Sequence, residues 1–332
     1  MRLLLILALG GTLLAAGACT LPPSGSERLN FISRDYGFVD RLRDKSEGSS
    51  REVYGWLMLP EAESAAPPYP AVVMLHSSIG QGTQDWHYAG VFREMGFAVL
   101  AVDSFQPRGV RKTVEDLTLV TETSMMADAY GALNRLSADP LIDSERIALI
   151  GFSKGGIAAL YSAFATSQRA LAAADYRFAA HVAYYPWCGV EFHELETTGA
   201  PVLIEAGAED AVAPPELCRE LVGKIEAQDP AARIQLSVQP ESLHAFDHPL
   251  LRIFSALPVT AALPTDCRFR EVEPNLFIEE RSGRVATKES LAGIFETCSR
   301  EDARTGGNED AARQALKETK VFLRRHLMSE EG

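Results

Sequence analysis

The stretch Ile147-Ala-Leu-Ile-Gly-Phe-Ser-Lys-Gly-Gly-Ile-Ala-Ala-Leu160 decides the reading of this chain. It runs from a short apolar strand through a turn with Ser153 between two glycines into a helix of small residues. Gly151-Phe-Ser-Lys-Gly155 fits G-x-S-x-G, the strained turn that exposes a nucleophilic serine at the end of a strand. A serine at a sharp backbone angle needs neighbours without side chains two positions away. The helix that follows points its N-terminus at the site, where partial positive charge favours a developing oxyanion.

On either side of this stretch, strand and helix patterns alternate. Arg51 to Leu59, Ala71 to His76 and Phe97 to Asp103 read as strands. The last two are continuously apolar, as buried parallel strands are. Further strands are expected at Ile147–Gly151, from His181 to Tyr185, from Pro201 to Ala206 and from Arg233 to Val238. Helices are expected from Thr83 to Met95 with Thr83 as N-cap, Glu115 to Ala138, Lys154 to Ala165, Pro215 to Glu226 and Glu309 to His326. The pattern predicts an α/β chain with a doubly wound, mostly parallel sheet, whose ligands bind outside the carboxyl ends of the strands. Leu250 to Gly306 breaks the alternation. This segment, with three prolines and two cysteines, reads as an insertion before the C-terminal helix. Its Leu276-Phe-Ile278 and Val285-Ala flank Ser282-Gly283, suggesting a hairpin that covers or borders the site.

The chain has 332 residues, 46% hydrophobic and 23% charged, which suits one large domain with a full core. A formal net charge of -13 argues against nucleic acid as a partner. Met1-Arg2, the apolar run Leu3 to Leu14 and Ala15-Ala-Gly-Ala-Cys19 read as a signal peptide over residues 1–18. Small residues before Cys19 resemble a lipobox, so Cys19 is expected to be lipidated; a plain secretory signal cleaved near Ala18 is the alternative. Residues 19–30 then read as a tether and 31–332 as the domain. Either reading exports the protein, to the periplasm or as a membrane-anchored lipoprotein. The remaining Cys188, Cys218, Cys267 and Cys298 are then expected as disulfides. Of three possible pairings, Cys188–Cys218 and Cys267–Cys298 is the one expected, the first bracing the loop that carries the acid.

A serine hydroxyl needs a base within reach and a carboxylate to orient it. Where a serine is presented in this way, the acid and then the base follow it in the chain. Asp210, in the loop after Pro201-Val-Leu-Ile-Glu-Ala-Gly207, is the expected acid. Glu209 is the runner-up, and Glu205 lies inside the strand. For the base, His244 stands nearest the end of the last strand, ahead of His248, while His326 reads as solvated. A metal reading of His244, Asp247 and His248 lacks further ligands, and none of the cysteines has metal-ligand spacing. The oxyanion donors should be the N–H of Lys154 and one from the loop Ser77-Ser-Ile-Gly-Gln-Gly82.

These motifs together resemble the dienelactone hydrolase family of the α/β-hydrolase superfamily. The matching pieces are Val72-Val-Met-Leu-His76, Asp103-Ser-Phe-Gln-Pro-Arg-Gly109, Asp139 through Gly156, Tyr184-Tyr-Pro-Trp-Cys188, the Gly207 to Asp210 loop with Pro214, and His244-Ala-Phe-Asp247. The resemblance covers about Arg51 to Asp247 plus the final helix. It implies an α/β-hydrolase fold, no cofactor, and the N–H of Ser78 as the second oxyanion donor. The namesake enzymes carry a cysteine nucleophile and a glutamate where this chain has Ser153 and Ser77, which points to a serine esterase-like member. The expectation is an exported hydrolase acting on a small-molecule ester, lactone or related acyl substrate. The alternative is an envelope lipoprotein that uses the scaffold for binding alone.

Overall fold

The computed structural model describes residues 21–37, 48–61, 65–172, 176–253, 256–259, 263, 265–274, 276–287 and 289–328. The expected signal segment and Cys19 lie outside them. The strands are β1 (Glu27–Asp35), β2 (Ser49–Met58), β3 (Tyr69–Leu75), β4 (Ala98–Asp103), β5 (Ile142–Phe152), β6 (Ala180–Tyr184), the two-residue β7 (Val190–Glu191), β8 (Val202–Gly207) and β9 (Ile234–Gln239). All but β7 join one sheet in the order β1-β2-β4-β3-β5-β6-β8-β9. The β1–β2 and β2–β4 pairs are antiparallel and the rest are parallel.

The helices are α1 (Thr83–Glu94), α2 (Glu122–Ser137), α3 (Lys154–Tyr161), α4 (Ala165–Leu171), α5 (Pro215–Gln228), α6 (Leu291–Cys298) and α7 (Glu309–Leu327). Alternation within the central strands sorts them to two faces. Ala71, Val73 and Leu75 of β3 pack with Met125, Ala129 and Leu133 of α2 and Leu221 of α5. Val72 and Met74 face the other way, with Phe92 of α1 and Phe322 and Leu323 of α7. Both faces being covered explains why these strands read as unbroken apolar runs.

Several boundaries differ from the sequence reading, among them β5, which starts at Ile142, five residues before the expected Ile147. The sheet begins at Glu27, inside the stretch assigned to the tether, because Leu29, Phe31 and Ser33 alternate inward against β2. The helix expected from Glu115 starts only at Glu122, where the Thr121 hydroxyl accepts the Ser124 N–H at 3.1 Å. The helix expected from Lys154 to Ala165 divides into α3 and α4, because residues 163–165 hydrogen-bond to Glu196 and Thr198 instead of continuing the turn. Thr83 is the first helical residue of α1, and Gly82 precedes it with its N–H bound by Asp85 at 2.8 Å.

The insertion has its own structure. It contains β10 (Leu257–Pro258), β11 (Phe269–Glu273), β12 (Leu276–Glu279), α6 and β13 (Arg304–Thr305). Strand β11 pairs with β12 on one side and with β7 on the other. The hairpin expected around Ser282-Gly283 forms through a single Ile278–Val285 bridge, and β12 takes β11 as its main partner. A small core of Cys267, Phe269, Leu291, Ile294 and Cys298 packs against Trp187 and Val190. Cys188 is bonded to Cys218 and Cys267 to Cys298, with Cα–Cα distances of 4.9 and 5.0 Å.

Candidate active site

Ser153 sits where β5 ends and α3 begins, at φ 51° and ψ −112°. That conformation is rare for a residue with a side chain and is held by its surroundings. A Cβ on Gly151 would lie 1.9 Å from the Gly155 carbonyl oxygen, and one on Gly155 would lie 2.4 Å from that of Leu75. Both positions therefore exclude any larger residue. The missing Gly155 side chain also brings the first turn of α3 against the exit of β3, where the Ser77–Gly82 loop starts.

The ends of β8 and β9 supply the partners. His244 Nε2 lies 2.8 Å from Ser153 Oγ, and its Nδ1 lies 2.7 Å from Asp210 Oδ2. Nδ1 must donate to the carboxylate, which leaves Nε2 free to accept from the serine. The other Asp210 oxygen accepts the N–H groups of Val212 and Ala213, each at 2.8 Å. Asp210 is thus buried and fixed by three partners, two amides and an imidazole. The acid and base loops pack directly on each other, since a Cβ on Gly207 would meet the Ser242 carbonyl at 2.4 Å.

The other candidates stand elsewhere. Glu209 is exposed, with its N–H on the Ser242 carbonyl. Glu205 is buried in β8 and binds Gln239 at 2.9 Å. His248 accepts the Leu250 N–H at 3.3 Å, and burial lowers its pKa. His326 packs on Phe322. The His244, Asp247 and His248 group forms no metal-ligand set among the described residues.

The Ser77–Gly82 loop is held at several points. His76 Nδ1 donates to the Ser77 carbonyl at 2.8 Å, and its Nε2 accepts the Ser104 N–H at 3.1 Å. The Ser78 carbonyl accepts the Thr113 N–H at 2.8 Å. Lys154 begins α3, so its N–H has no partner within the helix. Its side chain turns away and is buried, with Nζ 2.9 Å from the Leu117 carbonyl and 2.7 Å from Glu122. The lysine is a strut between α3 and α2, not a charge in the site.

Two further features surround these residues, and the first was not read from the sequence. Asp247 is buried, and among the described residues no cation pairs with it. It accepts Tyr88 Oη at 2.6 Å, Tyr185 Oη at 2.8 Å and both its oxygens lie 3.0 Å from Gln84 Nε2. Tyr185 adopts φ 38° and lays its ring edge-on to the His244 imidazole, 4.8 Å between centroids. The second feature comes from the insertion: the His244 carbonyl accepts Thr305 Oγ1 at 2.6 Å and the Gly306 N–H at 3.2 Å. The insertion therefore borders the histidine through its backbone.

A mostly parallel sheet in this strand order, with a serine on the turn after β5, an acid after β8 and a histidine after β9, defines an α/β-hydrolase. The chain belongs to the dienelactone hydrolase family, which it matches over residues 56–256. It is accordingly a hydrolase of the carboxylic-ester class. Solved structures are similar in fold. A protein of Klebsiella pneumoniae subsp. pneumoniae assigned as a dienelactone hydrolase is 16% identical with a TM-score of 0.50, over 89% of this chain and 98% of that one. A dienelactone hydrolase-like promiscuous phosphotriesterase from metagenomic libraries gives the same identity and TM-score, over 90% and 98%. An esterase of Thermogutta terrifontis is 17% identical with a TM-score of 0.47, over 68% and 85%. No curated protein sequence matches the chain.

Proposed function

We propose that the protein is an exported serine hydrolase that cleaves a carboxylic ester, lactone or related acyl compound through an acyl-enzyme. The observation that carries this reading is the unbroken hydrogen-bond chain Ser153–His244–Asp210. His244 Nε2 takes the Ser153 proton as Oγ attacks the substrate carbonyl carbon. The oxyanion faces the N–H groups of Lys154 and Ser78, a subsite supported by the contact between the β3 exit and the start of α3. The tetrahedral adduct collapses, the C–O bond to the alcohol breaks, and the alcohol leaves with the proton from Nε2. Water then gives a proton to His244 and attacks the acyl-serine, releasing the acid and restoring Ser153. Asp210 holds the ring in the required tautomer and stabilises the imidazolium.

Two disulfides and the Met1–Ala18 segment support export, and the Ala16-Gly-Ala-Cys19 sequence supports lipidation. Mass spectrometry of the mature N-terminus decides between a diacylated Cys19 and a free one.

A panel of p-nitrophenyl esters and lactones tests the catalytic assignment. Ser153→Ala and His244→Ala are expected to lose about four to six powers of ten in kcat while His248→Ala stays active. Equal loss in His244→Ala and His248→Ala would move the base or dissolve the assignment. A scaffold that only binds would turn over nothing in any form.

A further inference from the structure

Beside the oxyanion loop, on the β2 side of the sheet, lies a cavity of about 200 Å³. Its walls are Tyr54 and Trp56 of β2, Trp86 of α1, Phe105 after β4 and Ile79 of the loop itself. Ser153 is not among its lining residues; the loop is the wall the two share. Tyr54 and Trp56, two apart on one strand, present their rings on the same side, 6.0 Å between centroids and nearly perpendicular. The polar groups at the floor satisfy each other. Asp103 accepts the Tyr54 hydroxyl at 3.2 Å and the N–H groups of Phe105 and Gln106 at 3.0 and 2.9 Å. Gln81, Gln106 and Arg111 also line the cavity, but most of the surface it offers a ligand is apolar and aromatic, with Trp56, Ile79 and Trp86 half-buried.

We propose that this cavity is the subsite for one aromatic ring of the substrate, which makes the substrate class an aryl-bearing ester. The inference rests on the hydrolase reading above. Size and chemistry agree: an apolar cavity of roughly 150 Å³ in another protein takes benzene, and four aromatic walls offer edge and face contacts to a ring. Position agrees as well. Ile79 directly follows Ser78, so a ring held against Ile79 sets the substrate's carbonyl beside the loop that carries the Ser78 N–H. Subsite binding then acts on the reacting centre through two adjacent residues.

The test compares phenyl acetate and methyl benzoate with methyl acetate in wild type, Trp56→Ala and Trp56→Phe. The ratio of kcat/KM for the preferred aryl ester over methyl acetate is expected to fall about ten- to a hundredfold in Trp56→Ala and to recover mostly in Trp56→Phe. Benzyl alcohol should change the tryptophan fluorescence of Ser153→Ala, and its dissociation constant, read in the double variant from the remaining Trp86, should weaken at least about tenfold when Trp56→Ala is added. An unchanged ratio, a Phe variant that restores nothing, or an unchanged dissociation constant in the double variant overturns the proposal. Fluorophosphonate labelling of Ser153 in the wild type separates the two claims. Its absence defeats the hydrolase reading, while the fluorescence titration still decides whether the cavity binds a ring.

Discussion

An Asp210→Asn variant would meet His244 the wrong way round. The Val212 and Ala213 N–H groups both need an acceptor, so the amide oxygen turns to them and the NH₂ faces His244 Nδ1. Nδ1 must then accept, the proton moves to Nε2, and the ring can no longer take a proton from Ser153. The expected result is a drop of about four powers of ten in kcat with unchanged melting behaviour, read by steady-state kinetics and thermal denaturation. A loss of less than tenfold would remove Asp210 from the mechanism. At the same scale, Asp247→Asn should weaken the Tyr88–Tyr185–Gln84 cluster and loosen the ring that packs on His244. A modest fall in kcat, about five- to thirtyfold, with little change in KM is expected. A rise in KM alone would place Asp247 in binding instead. Ser153, Asp210 and His244 were legible because each follows a strand in a recognisable order. The Asp247 cluster was not, because Gln84 lies 163 positions away and only the packing of α1 beside the last loop brings them together.

Among the elements, the insertion is the one whose place the sequence left most open. Its cysteines and hairpin signal were readable, but its docking was not. That depends on β7, a two-residue strand with no pattern to detect, and on Trp187, whose indole N–H donates to the Thr265 carbonyl at 3.2 Å. An ion pair between Arg268 and Glu220 ties it also to α5. Because β10 pairs with β13, and β13 carries Thr305 to the His244 carbonyl, the insertion supports the base from behind. Replacing residues 257–306 with a Gly-Ser linker should leave the sheet folded, judged by far-UV circular dichroism. Turnover of p-nitrophenyl acetate should fall about five- to thirtyfold, as expected for the one or two hydrogen bonds to the His244 carbonyl that this removes. Activity equal to wild type would show that the insertion does not support His244. The central strands and most helices were readable from apolar runs and caps. The ends that moved did so for local reasons, such as the Thr121 cap and the strand-like pairing of residues 163–165.

Across the whole molecule, α7 closes the second face of the sheet and brings Glu318 to Glu205 in the middle of β8. Glu205 Oε1 is buried with no hydrogen-bond partner among the described residues, and the Glu318 carboxyl is close enough to act on it. Burial, with the neighbouring carboxyl adding to it, pushes the Glu205 pKa up to about 9 despite the Gln239 hydrogen bond. The folded state therefore holds a proton that the unfolded chain releases near the ordinary glutamate value of 4.5. This contribution to stability is full below that value, declines as pH rises, and is gone above about 9. Thermal unfolding between pH 5 and 9 should show a falling Tm in the wild type and a flatter profile in Glu205→Gln, which keeps the hydrogen bonds without the proton. Parallel profiles would mean that Glu205 does not titrate in this range. The overall sheet was legible from alternating elements; this pairing was not, because Glu205 reads as one acidic residue in an apolar strand.

The central claim is that Ser153 is an activated nucleophile. Treating the protein with a fluorophosphonate probe and mapping the adduct by peptide mass spectrometry tests it most directly. The account expects one adduct, on the peptide containing Ser153, formed at a rate that collapses in His244→Ala and absent in Ser153→Ala. An adduct on another residue, or none in a folded protein, would contradict it.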